Sequence, residues 1–209
     1  MHEDAKDPEP HAAPQTPVAV IGTLAEFHRE PIPYDLGALV RLVDDLRPDL
    51  LCLDLTLDQW RRRDFGGLPP EYRDALIPLA HQTDIVVVPI AGSHPPAEPT
   101  ASGWRGKAIA VLRRWLASLQ RTSPPAAVIE GARHHLADLL YTIMGWLAGR
   151  ETFHAWHAYT DYLAGQVLDV VRRDPGRRVL VAVNLRHCHH IRPALKRHPE
   201  VRVVPYSEL

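Results

Sequence analysis

The sequence predicts an α/β protein in which a mostly parallel central sheet is flanked by helices, with a helical insertion in the middle of the chain. Three observations lead to this prediction. Short apolar runs, typical of strands buried on both faces, occur near both ends of the chain. An amphipathic helix connects the first two runs, and strand, helix and strand in this order form a right-handed crossover with parallel strands. Residues 104–173 carry helical spacing instead.

Five segments are predicted to be strands because each is short, apolar and bounded by turn-forming or charged residues. They are residues 17–22, 50–55, 84–91, 178–183 and 201–204. Pro89 lies in the third segment, and proline cannot donate to the hydrogen-bond ladder of a sheet. The third segment is therefore expected to be an edge strand or to end there.

The helices are predicted from apolar residues that recur every three or four positions. The expected helices cover residues 36–46, the end of 59–80, 104–120, 126–148, 151–173 and 191–197. Residues 92–103 are rich in proline, serine and glycine and directly follow a strand. Loops in this position are where open α/β proteins hold their ligands.

Length and charge limit the number of domains and the class of partner. The chain has 209 residues, enough for one domain, with 24 basic and 25 acidic residues and a net charge of -1. We predict a disordered leader over 1–16 and a single α/β domain over 17–209, with the helical middle at 104–173. A near-neutral chain gives no reason to expect nucleic acid or a membrane as partner, and a cytoplasmic location is the simplest expectation.

Histidines after the fourth strand are the strongest candidates for function. The chain contains 13 histidines, and three of them, His187, His189 and His190, lie in a segment expected to be a loop at the carboxyl edge of the sheet. Imidazole is the commonest metal ligand in proteins and titrates near neutral pH. A polar loop with solvated histidines is the competing interpretation.

Other candidates follow the first and second strands. His28 and Glu26 lie in the loop after the first strand, and Asp54 lies at the end of the second. If the first and fourth strands are neighbours, His28 faces His187. Histidine and carboxylate together suit a divalent metal or general acid and base chemistry.

The remaining histidines and tryptophans are interpreted as structural. His94 is a weaker candidate in the loop after the third strand, and His134, His135, His154 and His157 lie on predicted helices. Four tryptophans of the helical region are expected to be core or lid residues: Trp104, Trp115, Trp146 and Trp156. The sequence contains no phosphate-binding P-loop, GxSxG elbow or HExxH motif.

Three segments resemble the superfamily that joins TraB, ChaN, Tiki and erythromycin esterase proteins: residues 18–23, 46–54 and 179–187. In that family the first strand ends in a GxxH motif, the second ends in a glutamate after an arginine-proline-aspartate turn, and a late strand ends in a second GxxH. Here Ala25 stands in place of the first histidine and Asp54 in place of the glutamate. The second motif keeps His187 but has Asn184 in place of its glycine.

The resemblance implies two hypotheses. The first is a hydrolase of the Tiki and TraB type that cleaves an amide or ester of a small-molecule or peptide substrate, with His187, Asp54 and Glu26 as catalytic residues. A divalent metal would be held by His28, His187 and Asp54. The second is a catalytically degenerate module that binds haem or a metal or regulates a partner, with His189 and His190 as cofactor ligands. Acid and base catalysis without metal is a third alternative, and the sequence leaves a homo-oligomer open.

Overall fold

The centre of the fold is a sheet of five parallel strands in the order β3-β2-β4-β1-β5. The computed structural model describes residues 15–93, 95, 96 and 98–209, except for the side chain of Glu26. The strands are β1 Thr16–Thr23, β2 Leu50–Leu53, β3 Val86–Pro89, β4 Val179–Asn184 and β5 Val201–Val203. The predicted α/β class is confirmed, and the strand with Pro89 lies at an edge.

Eight α-helices of the described residues surround the sheet. They are α1 Leu36–Leu46, α2 Leu57–Arg62, α3 Ile77–Gln82, α4 Gly103–Arg121, α5 Pro125–Ile129, α6 Ala132–Ala148, α7 Arg150–Arg173 and α8 Leu185–Leu195. A π-helical segment, Glu71–Leu76, leads directly into α3, and short 3-10 helices cover Ala25–Arg29 and Tyr206–Glu208. Helices α4 to α7 form the predicted helical middle.

The chain enters and leaves its first helix through ordinary capping residues. The Asp35 carboxylate accepts from the Ala38 backbone N–H at 2.7 Å, which satisfies one of the unpaired amides at the start of α1. Arg47 ends the helix with a positive φ of 44°, and Pro48 follows it. A left-handed residue and then a proline form a strong helix stop, because neither continues the α conformation.

The two faces of the sheet carry separate cores. On one face, Ala19, Ile21 and Leu53 pack with buried side chains of α1 and α3 to α6. On the other, Val20 and Val181 pack with buried side chains of α7 and α8. Because both faces are covered, the strands consist almost entirely of apolar residues, which is why they could be recognised in the sequence.

Strands β1 and β4 are neighbours, and their connections leave toward opposite faces of the sheet. The chain after β1 reaches α1, which packs on one face, whereas the chain after β4 forms α8 on the other. Such a divergence opens a crevice at the carboxyl ends of the strands. It is the position at which this fold class binds ligands.

The segment after β4 differs from the prediction. A loop was expected over 184–190 and a helix over 191–197, but α8 begins at Leu185. The Asn184 side chain caps it by accepting from the Arg186 backbone N–H at 3.2 Å. Leu185, Cys188 and Ile191 are buried on the inward face, so the three histidines between them are held on a helix.

Residues 1–14 of the predicted leader lie outside the described part of the chain. Thr16 already belongs to β1 and is buried. The ordered sheet therefore begins one residue before the predicted domain start at 17.

Candidate functional site

A cavity of about 230 Å³ opens at the carboxyl ends of β1 and β4. Leu24 and Ala25 line it from the segment after β1, Asn184 from the end of β4 and Arg186 from the start of α8. The remaining walls come mainly from the helical middle and are largely apolar; they include Phe27, Leu116, Met144 and Trp156. An apolar cavity with a few convergent polar groups is the usual form of a small-molecule site.

Arg186 supplies the central charge of this cavity. Its side chain is only 13% exposed, and its guanidinium lies 4.9 Å from the centroid of the Trp156 ring. Its Nη1 donates to Glu98 Oε1 over 2.8 Å. Glu98 Oε2 also lies 3.7 Å from Arg113 Nη2. One carboxylate of the loop 92–103 therefore bridges two arginines at the edge of the cavity.

His187 is buried beside Arg186, and both of its ring nitrogens are engaged. The Thr160 hydroxyl donates to the Trp156 carbonyl at 2.8 Å, so it must accept from Nδ1–H of His187 at 2.7 Å. The other nitrogen, Nε2, accepts from Nε of Arg186 at 3.1 Å. Burial, helped by the charge of Arg186, lowers the pKa of His187 to about 3. The ring is held neutral in a single tautomer.

Asp54 forms a short hydrogen bond with a tyrosine of α7. The Tyr159 hydroxyl donates to Asp54 Oδ1 at 2.6 Å. Burial raises the pKa of Asp54, while the hydrogen bond from Tyr159 and the charge of Arg186 oppose that rise. Burial and the neighbouring carboxylate also raise the pKa of Tyr159. The ring of Tyr159 lies 5.7 Å from the ring of His187, so the two groups are neighbours.

His28 stabilises the segment after β1. Its Nε2 accepts from the Leu24 backbone N–H at 2.9 Å, so its Nδ1–H donates to the Tyr34 carbonyl at 2.8 Å. Burial lowers the pKa of His28 to about 4. Ala25, in the position of the family's histidine, has a φ of 52°, a conformation that non-glycine residues seldom adopt. The side chain of Glu26, like His94, lies outside the described residues.

His189 and His190 point toward different partners. The His189 ring stacks on His134 at 3.7 Å between centroids, and its Nε2 donates to the His134 carbonyl at 2.9 Å. Burial lowers the pKa of His189. The ring of His190 faces the ring of His157, with 4.6 Å between the ring centroids. His190 and Asp138 both line a second, smaller cavity. The two predicted cofactor ligands therefore do not converge on one point.

The predicted metal ligands do not form a metal-binding group. Among the described residues, no three His, Cys, Asp or Glu side chains are placed to hold one ion together. Because His28, His187 and Asp54 are all described, the predicted set of three is not such a group. Haem binding stays a prediction.

Several residues of the site were not singled out in the sequence. Arg186 was overlooked although it lies between Asn184 and His187 in the motif itself. Tyr159 and Thr160 had no local signal, because they come from a helix more than 100 residues after Asp54. Trp156 is buried as predicted, but three tryptophans expected in a core or lid are exposed: Trp104 by 67%, Trp115 by 63% and Trp146 by 70%.

Comparison of the chain with family models, curated proteins and solved structures finds no match. The resemblance to the TraB, ChaN, Tiki and erythromycin esterase superfamily therefore stays a prediction. No helix of the described residues is both long and apolar enough to cross a membrane.

Proposed function

We propose that this chain is a binding module for a small molecule that carries a carboxylate and an apolar body, held in the cavity at the ends of β1 and β4. Like the second hypothesis from the sequence, this proposal describes a binding module without catalysis, but its ligand is a carboxylate and not haem or a metal. The observation that carries it is the state of Arg186: a guanidinium that is mostly removed from water and has its charge balanced by a side chain from a surface loop.

A buried guanidinium needs an anion, because removing an unpaired charge from water is costly. Glu98 provides that anion here, yet its side chain is 70% exposed. A carboxylate held on an exposed loop can be exchanged for the carboxylate of a ligand, which would gain the same charge-assisted hydrogen bond from Arg186. Arg113 offers a second positive group 3.7 Å from the same carboxylate.

Most of the remaining cavity wall fits an apolar body, and its polar side chains, Gln120, Tyr141 and Asn184, carry no charge. Phe27, Leu116 and Met144 line it together with Trp156, and they offer no charged group to a ligand. An apolar tail placed there would be removed from water, which contributes favourably to binding in proportion to the area buried. A ligand with one anionic end therefore has a single orientation in the cavity.

The hydrogen bonds of His187 favour binding over hydrolysis. A general base needs a nitrogen lone pair that can take a proton from water. In His187 the lone pair of Nε2 already accepts from Arg186, and the low pKa makes the ring a weak base. The histidine thus acts as a support that orients Arg186 toward the cavity.

A hydrolase is the second candidate, and the Asp54–Tyr159 pair is the observation that favours it. A half-buried carboxyl with a raised pKa next to a tyrosine is an arrangement used for general acid chemistry. The test is hydrolysis of 4-nitrophenyl acetate and butyrate by the wild type and by Asp54→Asn. Turnover that is lost in the variant would support this candidate, and no turnover by the wild type would oppose it.

The binding proposal is tested with octanoate and its neutral analogue octanamide, by calorimetry and by thermal unfolding. We expect octanoate to bind and octanamide to bind more weakly. Arg186→Gln should weaken octanoate binding about 10- to 100-fold, because a charge-assisted hydrogen bond is lost. Arg114→Gln is the matched control, since Arg114 lies on the same helix as Arg113 but does not line the cavity.

Arg113→Gln provides a second test at an exposed position, in case Arg186→Gln disturbs the fold. Circular dichroism of both variants checks that they are folded. Equal affinity of the wild type and the two cavity variants for octanoate would contradict the proposal, as would the absence of octanoate binding by the wild type.

A further inference from the structure

Most of the large exposed apolar side chains among the described residues lie on two helices that pack against each other, α4 and α6. Helix α4 exposes Trp104, Val111 and Trp115, and helix α6 exposes Leu136, Leu139 and Trp146. Single exposed apolar residues are common on protein surfaces, but a group of large ones marks a contact surface. Tryptophans that are two-thirds exposed are especially costly in water.

The spacing along α4 places apolar and basic side chains in adjacent stripes. Residues seven positions apart share a helix face. Trp104 and Val111 are related in this way, and Trp115 lies one turn after Val111. Lys107, Arg114 and Arg121 form a second series with the same spacing beside them. Helix α4 carries five basic residues and no acidic one.

A shallow open groove runs along the basic side of α4. It is lined by Arg113, Arg114 and Arg121 together with the hydroxyl-bearing residues Ser118 and Thr122. Two of these arginines have acidic partners: Arg113 meets Glu98 and Arg121 meets Glu30. Lys107 and Arg114 form no ion pair with any described residue. The groove thus presents positive charge and hydrogen-bond donors to an anion.

We propose that the outer face of α4, extended by the exposed stripe of α6, docks on an anionic lipid surface. Helices that lie in a membrane interface combine basic residues with tryptophan and other apolar side chains in this manner. Tryptophan is enriched at the level of the lipid headgroups, and basic residues are attracted to anionic ones. In this arrangement α4 and α6 lie along the membrane surface and do not span the bilayer, since no helix of the described residues is long and apolar enough to cross it.

The charge distribution favours lipid over the other partners. A second copy of the chain docking through the same face would bring together two copies of α4, whose charged residues are all basic, and the two helices would repel each other. Nucleic acid would satisfy the basic stripe but would leave Leu136 and Leu139 without an apolar partner. The net charge of -1 is a sum over the chain, and it does not show that all five charged residues of α4 are basic.

The test is co-sedimentation of the full chain with phosphatidylcholine vesicles and with vesicles containing equal amounts of phosphatidylcholine and phosphatidylglycerol. We expect binding only to the anionic vesicles, and weaker binding at high salt. The double variant K107E/R114E should bind at least about 25-fold more weakly, from about fivefold for each basic side chain removed near the surface. The double variant W104S/W115S should also lose most of its binding.

The matched control is R61E/R62E, which changes two exposed arginines of α2, outside the proposed face, by the same charge. It should bind like the wild type, and all variants should keep the wild-type thermal transition. The proposal is overturned if the wild type does not bind anionic vesicles, or if the control loses as much binding as K107E/R114E. Dimerisation that W104S/W115S abolishes, without vesicle binding, would assign the face to a second copy instead.

Discussion

Acid should destabilise this protein strongly, because the fold keeps three buried histidines neutral: His28, His134 and His187. The side chains of His28 and His187 are each 1% exposed, and burial lowers their pKa values to about 4 and about 3. In the unfolded chain a histidine has a pKa of about 6.5. As the pH falls below about 6.5, the unfolded chain binds protons that the folded protein refuses. The stabilisation is therefore fully present above about pH 6.5 and is lost as the pH falls toward 4.

The size of the effect follows from the two pKa values. Each unit of pH between the unfolded and folded values costs about 1.4 kcal/mol per histidine. Between pH 7 and pH 5 each ring should cost about 2 kcal/mol, so His28 and His187 together cost about 4 kcal/mol of the free energy of unfolding, and His134 adds to this loss. This is a large part of the 5–15 kcal/mol or so that a domain of ordinary stability has.

The assay is urea denaturation at several pH values from 5 to 8, followed by circular dichroism. His28→Gln and His187→Gln each keep one donor and one acceptor but cannot titrate, so each should flatten the pH dependence by about one proton. His81 is exposed, so the variant His81→Gln is the control. It shows how much the replacement of a histidine by itself changes the free energy of unfolding at pH 7. A wild type equally stable at pH 5 and pH 7, or two variants with an unchanged slope, would refute the reasoning.

Three further predictions concern single contacts and are measured by urea denaturation at pH 7. Gly22→Ala should cost about 1–3 kcal/mol, because a Cβ there would lie 3.1 Å from Leu185 Cα; unchanged stability would contradict the close packing of β1 on α8. Tyr34→Phe should be neutral or stabilising, since the buried Tyr34 hydroxyl finds no hydrogen-bond partner among the described residues. Tyr159→Phe should cost about 1–3 kcal/mol and raise the pKa of Asp54 further, because the carboxyl loses its donor; the shift should appear in the pH dependence of stability.

The sheet was predictable because its strands are buried on both faces. Continuous apolar runs such as 179–183 have no other common explanation in a chain of this type. The edge position of β3 followed from Pro89, because a proline cannot complete a ladder on both sides. The condition placed on His28 and His187, that the first and fourth strands be neighbours, is met. Although β1 and β4 are neighbours, the two histidines have separate hydrogen-bond partners. His28 bonds to the backbone of Leu24 and Tyr34, and His187 bonds to the side chains of Thr160 and Arg186.

The start of α8 was missed although the sequence held a signal for it. Asn184 is a good helix N-cap, and Leu185, Cys188 and Ile191 recur every three residues. The concentration of histidines in this segment favours a polar loop instead. The packing of Leu185 and Cys188 into the two cores decides for the helix, because burial of an apolar face outweighs the weak helix propensity of histidine.

The sequence alone determined the α/β class and the order of the main elements, because hydrophobic periodicity and turn residues are local properties, and it predicted a candidate site after β1 and β4. Tertiary structure decided which groups meet there. Tyr159 reaches Asp54, Thr160 fixes the tautomer of His187, and Glu98 neutralises Arg186, each across a distance in the chain that no local pattern encodes. Tertiary structure also decided the protonation states of these groups, because burial shifts the pKa of a side chain and burial is a property of the folded molecule.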